Sequence, residues 1–292
     1  MKHLPYRFFF FLPLLLAVSV TAAEEAASRI EDNADRAGRE TFLLRYHFTK
    51  GDVLRWDVQQ TIRVQTIISG VSEIVETTCR STKVWAVEEL KPDGSATFVY
   101  QVEDVDMSQK QTGKEDASYN SKTDKTPPPT FQRVAESVGV PLAKITINKF
   151  GETVKKLQLR PYDASAEENK IAIPLPKEPV AKGESWIFPC PIEVPQVGGR
   201  VKKLAARQRF TLEDVQTGVA TIRFETQILT PINDPELEVK LINNQATGTL
   251  KLDIEAGQTL SQETRIDHTV HGIKGRGNKI QHQTKLSEQQ KR

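Results

Sequence analysis

The sequence predicts a mainly β protein built from two antiparallel β-meander lobes, sandwich-like or half-barrel-like, with one short helix. Three observations support this: apolar and polar residues alternate over long stretches, glycine-containing turns separate those stretches, and similar motifs recur in both halves of the chain. The 292 residues are 38% hydrophobic. This fraction is enough for a core but favours thin, surface-rich lobes.

The N-terminal residues 1–23 are typical of a secretory signal peptide. Lys2 and Arg7 form a basic start, an apolar run follows, and the small residues Ala22 and Ala23 suit cleavage. The apolar run is shorter than the roughly 20 residues of a membrane helix. No transmembrane segment is therefore expected after cleavage. The polar residues 24–40 are predicted to be a disordered leader, and the protein is predicted to reach the periplasm or the extracellular space.

A first β lobe is predicted over residues 41–160. Trp56, Val58 and Ile62 share one parity with polar residues between them, which is typical of a long strand with one face in water. The Lys-Pro-Asp-Gly turn at 91–94 then predicts a hairpin, because proline presets φ and glycine accepts a positive φ.

One helix is predicted within this lobe, at residues 131–138. Its apolar residues recur at i, i+3, i+4 and i+7, and Gly139 is a suitable stop. The polar stretch 112–130 before it ends in three prolines, so an exposed loop is expected there.

The proline-rich stretch 161–180 is predicted to link the first lobe to a second β lobe over residues 181–273. Alternation in the second lobe predicts several strands, one of them at 237–241. The polar and basic residues 274–292 are predicted to form a disordered tail.

The two halves of the chain carry similar motifs in the same order, which predicts an internal duplication of one meander. Alternatively, the motifs are alike because glycine turns have few chemical solutions. The paired segments are residues 50–56 with 182–186, 87–98 with 212–222, and 147–154 with 254–260.

These motifs resemble a family of uncharacterised exported β-rich proteins from planctomycete-type bacteria. The resemblance covers most of the chain after the leader, and its motifs are turns, a strand entry and a helix stop. It implies export and a β fold, and it implies no catalytic residue. The resembling segments are residues 50–56, 91–94, 102–107, 119–122, 138–142 and 182–186.

Cys79 and Cys190 are the two cysteines of the chain. In an exported protein such a pair predicts either a disulfide or two separate buried thiols. A bridge would close a loop of about 110 residues and contribute about 4–5 kcal/mol if unstrained.

The sequence predicts no catalytic residue, no metal site and no cofactor. His268 and His271 are three apart on an expected strand and should point to opposite faces. Glu103, Asp104 and Asp106 form an acidic cluster without the spacing of a calcium loop. The net charge of +2 is too small to indicate nucleic-acid binding.

Three functions remain open, and an enzyme is the least favoured. The first is a non-catalytic envelope protein that binds a partner protein or acts as a scaffold. The second is a carrier of an apolar or amphiphilic ligand in a cavity between the helix and a concave sheet. The third is a hydrolase of envelope polymer, which needs two or more carboxylates, or a histidine with a nucleophile, converging in a cleft. For the carrier, the expected lining residues are Phe131, Val134 and Val138, facing Trp56, Val58 and Phe98.

Overall fold

The computed structural model describes residues 38–160, 171–195 and 199–291. The fold is mainly β, with 59% strand and 8% helix, which confirms the predicted class. The predicted signal peptide at 1–23 and residues 24–37 of the predicted leader lie outside the described residues.

The described residues form sixteen strands and two short helices. The strands are β1 Thr41–Phe42, β2 Val53–Ile68, β3 Val71–Leu90, β4 Ala96–Gln111, β5 Ala117–Asn120, β6 Pro141–Ile147, β7 Thr153–Gln158, β8 Val180–Ala181, β9 Ser185–Pro189, β10 Ile192–Pro195, β11 Val201–Leu204, β12 Ala206–Gln216, β13 Val219–Ile228, β14 Thr247–Asp253, β15 Gln258–His271 and β16 Lys279–Gln290. The helices are α1 Gln132–Ser137, which follows a 3₁₀ turn at Pro129–Phe131, and α2 Pro235–Leu241, which precedes a 3₁₀ turn at Ile242–Asn244. Helix α1 confirms the predicted helix.

Twelve strands form one antiparallel sheet, in the order β7-β6-β4-β3-β2-β16-β15-β14-β13-β12-β9, with β5 paired to β4. Strands β1 with β8 and β10 with β11 form two further small ribbons. The main sheet contains the strands of both predicted lobes. The strands of the two predicted lobes thus form one continuous sheet, because β16 lies between β2 and β15 and pairs with both.

The prediction of a disordered tail at 274–292 is wrong, because most of this segment is strand β16. This strand pairs with β2 from Lys279 to Gln290 and with β15 from Lys279 to Gln289. Its composition is polar, but Leu286 and Glu288 are buried on one face. Polarity alone was therefore a poor guide to disorder here, since both edges of the strand are hydrogen-bonded to neighbours.

Both halves of the sheet bury their inner faces in one core. Phe98 and Ile145 come from the first half, and Phe210 and Phe224 from the second, and all four belong to the same cluster. The sheet thus folds over so that its apolar inner face covers itself, as a single half-polar sheet must.

The described part of the predicted linker, residues 171–180, is a core segment. Ile171, Ile173 and Leu175 are buried in the shared cluster, so the predicted linker packs into the core. The Tyr46 hydroxyl holds the segment by donating to the carbonyl oxygen of Ile173 at 3.2 Å and accepting from its N–H at 3.0 Å. Burial raises the pKa of the Tyr46 hydroxyl to about 12.

The repeated motifs occupy equivalent places in the two halves. Residues 50–56 enter β2 and residues 182–186 enter β9, and the other two pairs span the β3–β4 and β12–β13 turns and the β6–β7 and β14–β15 turns. The loops before β2 and β9 also share three hydrogen bonds, which fits the predicted duplication. The bonds are Gly51 N to Val87 O and Gly183 N to Leu212 O, Val87 N to Asp52 O and Leu212 N to Glu184 O, and Thr49 N to Asp52 Oδ2 and Ala181 N to Glu184 Oε2.

The stretch 237–241, predicted as a strand, belongs to helix α2. Asp234 accepts a hydrogen bond from the backbone N–H of Glu236 at 2.9 Å, which caps the helix. Leu237 and Leu241 are four residues apart and both are buried. Over so few residues, the apolar positions fit both the two-residue period of a strand and the i, i+4 spacing of a helix. The N-terminal cap and the burial of the two leucines stabilise the helix.

We predict that Gly151→Ala lowers the free energy of unfolding more than Gly113→Ala. Both glycines have a positive φ, 81° and 75°, so both changes should cost about 1–2 kcal/mol of backbone strain. A Cβ at Gly151 would also clash with the carbonyl oxygen of Ile173 and the ring of Tyr46, whereas Gly113 has nothing within 4 Å. We expect a further loss of about 1–3 kcal/mol in urea unfolding. Equal losses for the two variants would contradict the close packing of the 171–175 segment.

We predict that Tyr46 makes stability fall in alkali. Its folded pKa is raised from 10.0 to about 12, so its contribution is fully present below pH 10 and is lost as the pH rises through 12. The difference in unfolding free energy between the parent protein and Tyr46→Phe should therefore shrink between pH 10 and 12. A constant difference over that range would exclude a buried, neutral Tyr46 hydroxyl.

Candidate functional site

A cavity of about 340 Å³ lies between the inner face of the sheet and helix α1. Its sheet wall comes from β2, β3, β4 and β16, and its opposite wall comes from α1 and the residue after it. Arg133 on α1 lines the cavity and is also exposed, so the cavity reaches the surface beside the helix.

The pleat of the strands positions the sheet wall. Val58, Gln60 and Ile62 alternate along β2, and each lies directly opposite a cavity residue of β3. Side chains of one parity point to one face of a sheet, so a strand places every second residue in the cavity. The facing pairs are Val58 with Ser81, Gln60 with Cys79, and Ile62 with Thr77.

Helix α1 is attached at its two ends and is not buried along its length. Phe131, before the helix, is buried against Val105 and Tyr119 in a small separate cluster. After the helix, Val138 forms a parallel bridge with Val102, and the N–H of Gly139 donates to the carbonyl oxygen of Val102 at 2.7 Å. No residue within α1 is buried.

Three of the six residues predicted for a carrier cavity line it, namely Val58, Val134 and Val138. Phe131 anchors the start of α1, while Trp56 and Phe98 belong to the main core. The predicted pairing of α1 with a concave sheet face is therefore confirmed in outline. Half of the named side chains lie just outside the cavity wall.

The sequence analysis missed a buried ion pair at the inner end of this cavity. The Lys83 ammonium donates to Oε1 of Glu288, and the two side chains are only 6% and 5% exposed. Lys83 lies on β3 and Glu288 on β16, so the pair spans β2, which runs between them. In the sequence, Lys83 could have indicated a buried charge, because it has the same parity as Trp85 and Val87 on the apolar face of β3.

A second, much smaller space adjoins the same ion pair. It has a volume of about 10 Å³ and is lined by Lys83, Glu288, Trp56 and Trp85, among others. This is close to the volume that one water-sized group occupies. The indole Nε1 of Trp56 is buried and has no hydrogen-bond partner within the described residues.

Cys79 and Cys190 are not joined by a disulfide. Cys79 lies in the middle of β3 and lines the cavity, whereas Cys190 directly follows the edge strand β9. The structure therefore corresponds to the alternative of two separate, partly buried thiols.

The other residues considered in the sequence are not brought together. His268 pairs with Glu238 of α2 at 2.9 Å, and Glu103 and Asp104 form partly exposed ion pairs with Arg55 and Lys122. Across the described ranges, no group of three or more His, Cys, Asp or Glu side chains is arranged to hold a metal ion.

The charged lining of the cavity is limited to Lys83, Arg133 and Glu288. Of the described lining residues Glu288 is the one carboxylate, and none is a histidine. The described lining thus holds neither the second carboxylate nor the histidine that the hydrolase hypothesis requires. In the part of the chain that the structure describes, no helix is long and apolar enough to cross a membrane.

No protein-family model and no curated protein matches the chain. Among solved structures, it is similar to lipovitellin, in a structure concerned with lipid–protein interactions, with a TM-score of 0.46 and 10% identity over 84% of this chain and 26% of that one. It thus spans about a quarter of the lipovitellin chain. It is also similar to the translocator domain of the autotransporter NalP from Neisseria meningitidis, with a TM-score of 0.28 and 7% identity over 94% of this chain and 99% of that one.

We predict that breaking the buried ion pair destabilises the protein more than removing it. Lys83→Met leaves Glu288 buried without its partner and should lower the unfolding free energy by about 3–5 kcal/mol. The double variant Lys83→Met/Glu288→Leu should recover most of that loss. Urea unfolding with a double-mutant cycle measures both effects.

The control for this prediction is the exposed pair of Arg63 and Glu76, whose side chains are 34% and 46% exposed. Arg63→Met should cost less than about 1 kcal/mol. If Lys83→Met costs no more than this control, the pair is solvated in solution and does not form the closed end of the cavity.

Proposed function

We propose that the protein is an exported, non-catalytic carrier that binds an apolar or amphiphilic ligand in the cavity beneath α1. The observation that supports this most directly is the cavity itself. Its volume of about 340 Å³ lies within the range of about 300–1,000 Å³ that is usual for small-molecule sites. Its wall combines valine, leucine, isoleucine and methionine side chains with a few polar groups, which is the usual composition of such sites.

A packing defect is a poor explanation for a cavity of this size. Protein interiors are close-packed, with few voids larger than a water molecule. Larger apolar residues at Val58, Val102 or Val105 would fill the cavity. Binding a ligand gives a reason for such small residues at these positions.

Helix α1 is suited to be the entrance. Proline residues at 127–129 precede it, and Gly139, with a φ of 73°, follows it. Because no residue within the helix is buried, α1 can move away from the sheet without opening the main core. A ligand would then enter beside Arg133 and displace few packed contacts.

Export of the carrier is supported by the N-terminal sequence and by the family resemblance. The basic start, apolar run and small residues of 1–23 suit a cleavable signal peptide. A carrier of apolar molecules has an evident task in an aqueous periplasm or outside the cell, where such molecules are poorly soluble. Binding of a partner protein, the other non-catalytic hypothesis, is compatible with this role but has no specific surface to support it.

The test uses Val58→Phe, which places a ring in the cavity, with Val71→Phe as the matched control. Val58 is buried and lines the cavity, whereas Val71 is 70% exposed at the β2–β3 turn. The fluorescent apolar probe 1-N-phenylnaphthylamine should bind the parent protein saturably, at one site per chain. Val58→Phe should weaken binding at least tenfold, and Val71→Phe should leave it unchanged.

A second readout places the probe in the cavity. In a Cys190→Ser variant the remaining thiol is Cys79, so bound probe should slow its reaction with a maleimide reagent. Organic extraction of freshly purified protein followed by mass spectrometry would show a ligand already bound. Clean extracts, together with no saturable probe binding, would contradict the carrier function.

A further inference from the structure

We infer that the ligand is a single-chain amphiphile with an uncharged head group that both donates and accepts hydrogen bonds, and that this head lies inward, at Lys83 and Glu288. This inference rests on the proposed carrier function and adds the ligand class and its orientation. The hydroxyl group of a long-chain alcohol or of a monoacylglycerol has the required chemistry.

The cavity places its charged sheet residues at one end. Lys83 and Glu288 lie beside the main core, and both also line the small space next to Trp56 and Trp85. On β2, Val58 lies directly opposite Glu288 and so marks the end of the cavity at the ion pair. Ile62, four residues further along β2, lines the cavity away from that end. The chain of an amphiphile whose head is at the ion pair would therefore run outward between β2 and α1.

The ion pair retains hydrogen-bonding capacity toward this end of the cavity. An ammonium group has three N–H donors and a carboxylate has two acceptor oxygens. Within the described part of the chain, one donor of Lys83 and Oε1 of Glu288 are joined to each other. Two N–H donors and Oε2 thus remain for a ligand.

The electrostatics of the pair favour an uncharged head. Lys83 and Glu288 neutralise each other, and both are almost fully removed from water. A carboxylate or an ammonium group beside them would add one uncompensated charge to a buried site, which is costly. A hydroxyl group adds no charge, can accept from Lys83, and can donate to Glu288. The adjoining space of about 10 Å³ suits a group of that size.

The volume of the cavity favours a ligand with one chain. At about 340 Å³ it lies at the small end of the range of about 300–1,000 Å³ that is usual for ligand sites. A two-chain lipid would have to leave one chain outside.

The test is displacement of bound 1-N-phenylnaphthylamine by four ligands with the same twelve-carbon chain. They are 1-dodecanol, its methyl ether, dodecanoate and dodecyltrimethylammonium. The ether accepts but cannot donate, and the last two carry opposite charges. We expect dodecanol to displace the probe at about tenfold lower concentration than each of the others, since one hydrogen bond is worth about that factor.

The double variant Lys83→Met/Glu288→Leu removes the head-group contacts but keeps an apolar cavity. It should still bind the probe, and the preference for dodecanol over its ether should disappear. Arg63→Gln, in the exposed pair with Glu76 outside the cavity lining, should leave that preference unchanged.

The outcomes separate this inference from the carrier function. If dodecanoate binds best and Arg133→Gln abolishes that preference, the head lies outward at the surface and the inference is wrong. Equal displacement by all four ligands would also reject it, although the cavity would still bind chains. If neither the probe nor any of the four ligands binds, the carrier function itself fails.

Discussion

The pairing of β16 on both of its edges is the constraint on which the rest of the structure depends. Without it β2 and β15 would each present a row of unpaired backbone groups, and an exposed strand edge is a site for aggregation. With it, two meanders become one sheet with one core. The same strand supplies Leu286 and Glu288 to the cavity wall, so the pairing that makes the sheet continuous also completes that wall.

The alternation of side chains predicted the mainly β class and most long strands, and helical spacing predicted α1. The polar residues on the inner face of β16 and β3 could not be predicted from this alternation. Thr284 and Glu288 face inward on β16, so its pattern lacks the apolar parity by which buried strands are recognised. Lys83 interrupts the apolar face of β3 in the same way. Alternation predicts buried strands poorly where polar side chains line a cavity, because the prediction assumes that inward-facing residues are apolar.

The cavity and the ion pair both reduce stability, and the surrounding fold offsets them. A void loses packing contacts, and a buried ion pair is often no more stable than apolar residues of similar volume. The main cluster, with Trp85, Phe98, Phe210 and Phe224 almost completely buried, lies beside the cavity. The molecule therefore concentrates its packing in one region and leaves the region beneath α1 open, a division expected of proteins whose binding sites are not optimised for stability.

The second half of the chain has a helix at the equivalent place, and its side chains pack differently. Helix α2 lies between β13 and β14, and α1 lies between β4 and β6, which are the equivalent strands of the first meander. Helix α2 buries Leu237 and Leu241 against its surroundings, whereas α1 buries none of its residues. A helix at this position of the meander can therefore bury leucine side chains. The first half instead has Arg133 and Val134 above a wall that contains Lys83 and Glu288. Leu237 and Leu241 pack against Val194 and Leu204 of the β10–β11 ribbon, whereas α1 packs against Val105 and Tyr119 of β4 and β5. The space beneath α1 therefore depends on the local strands as well as on these side chains.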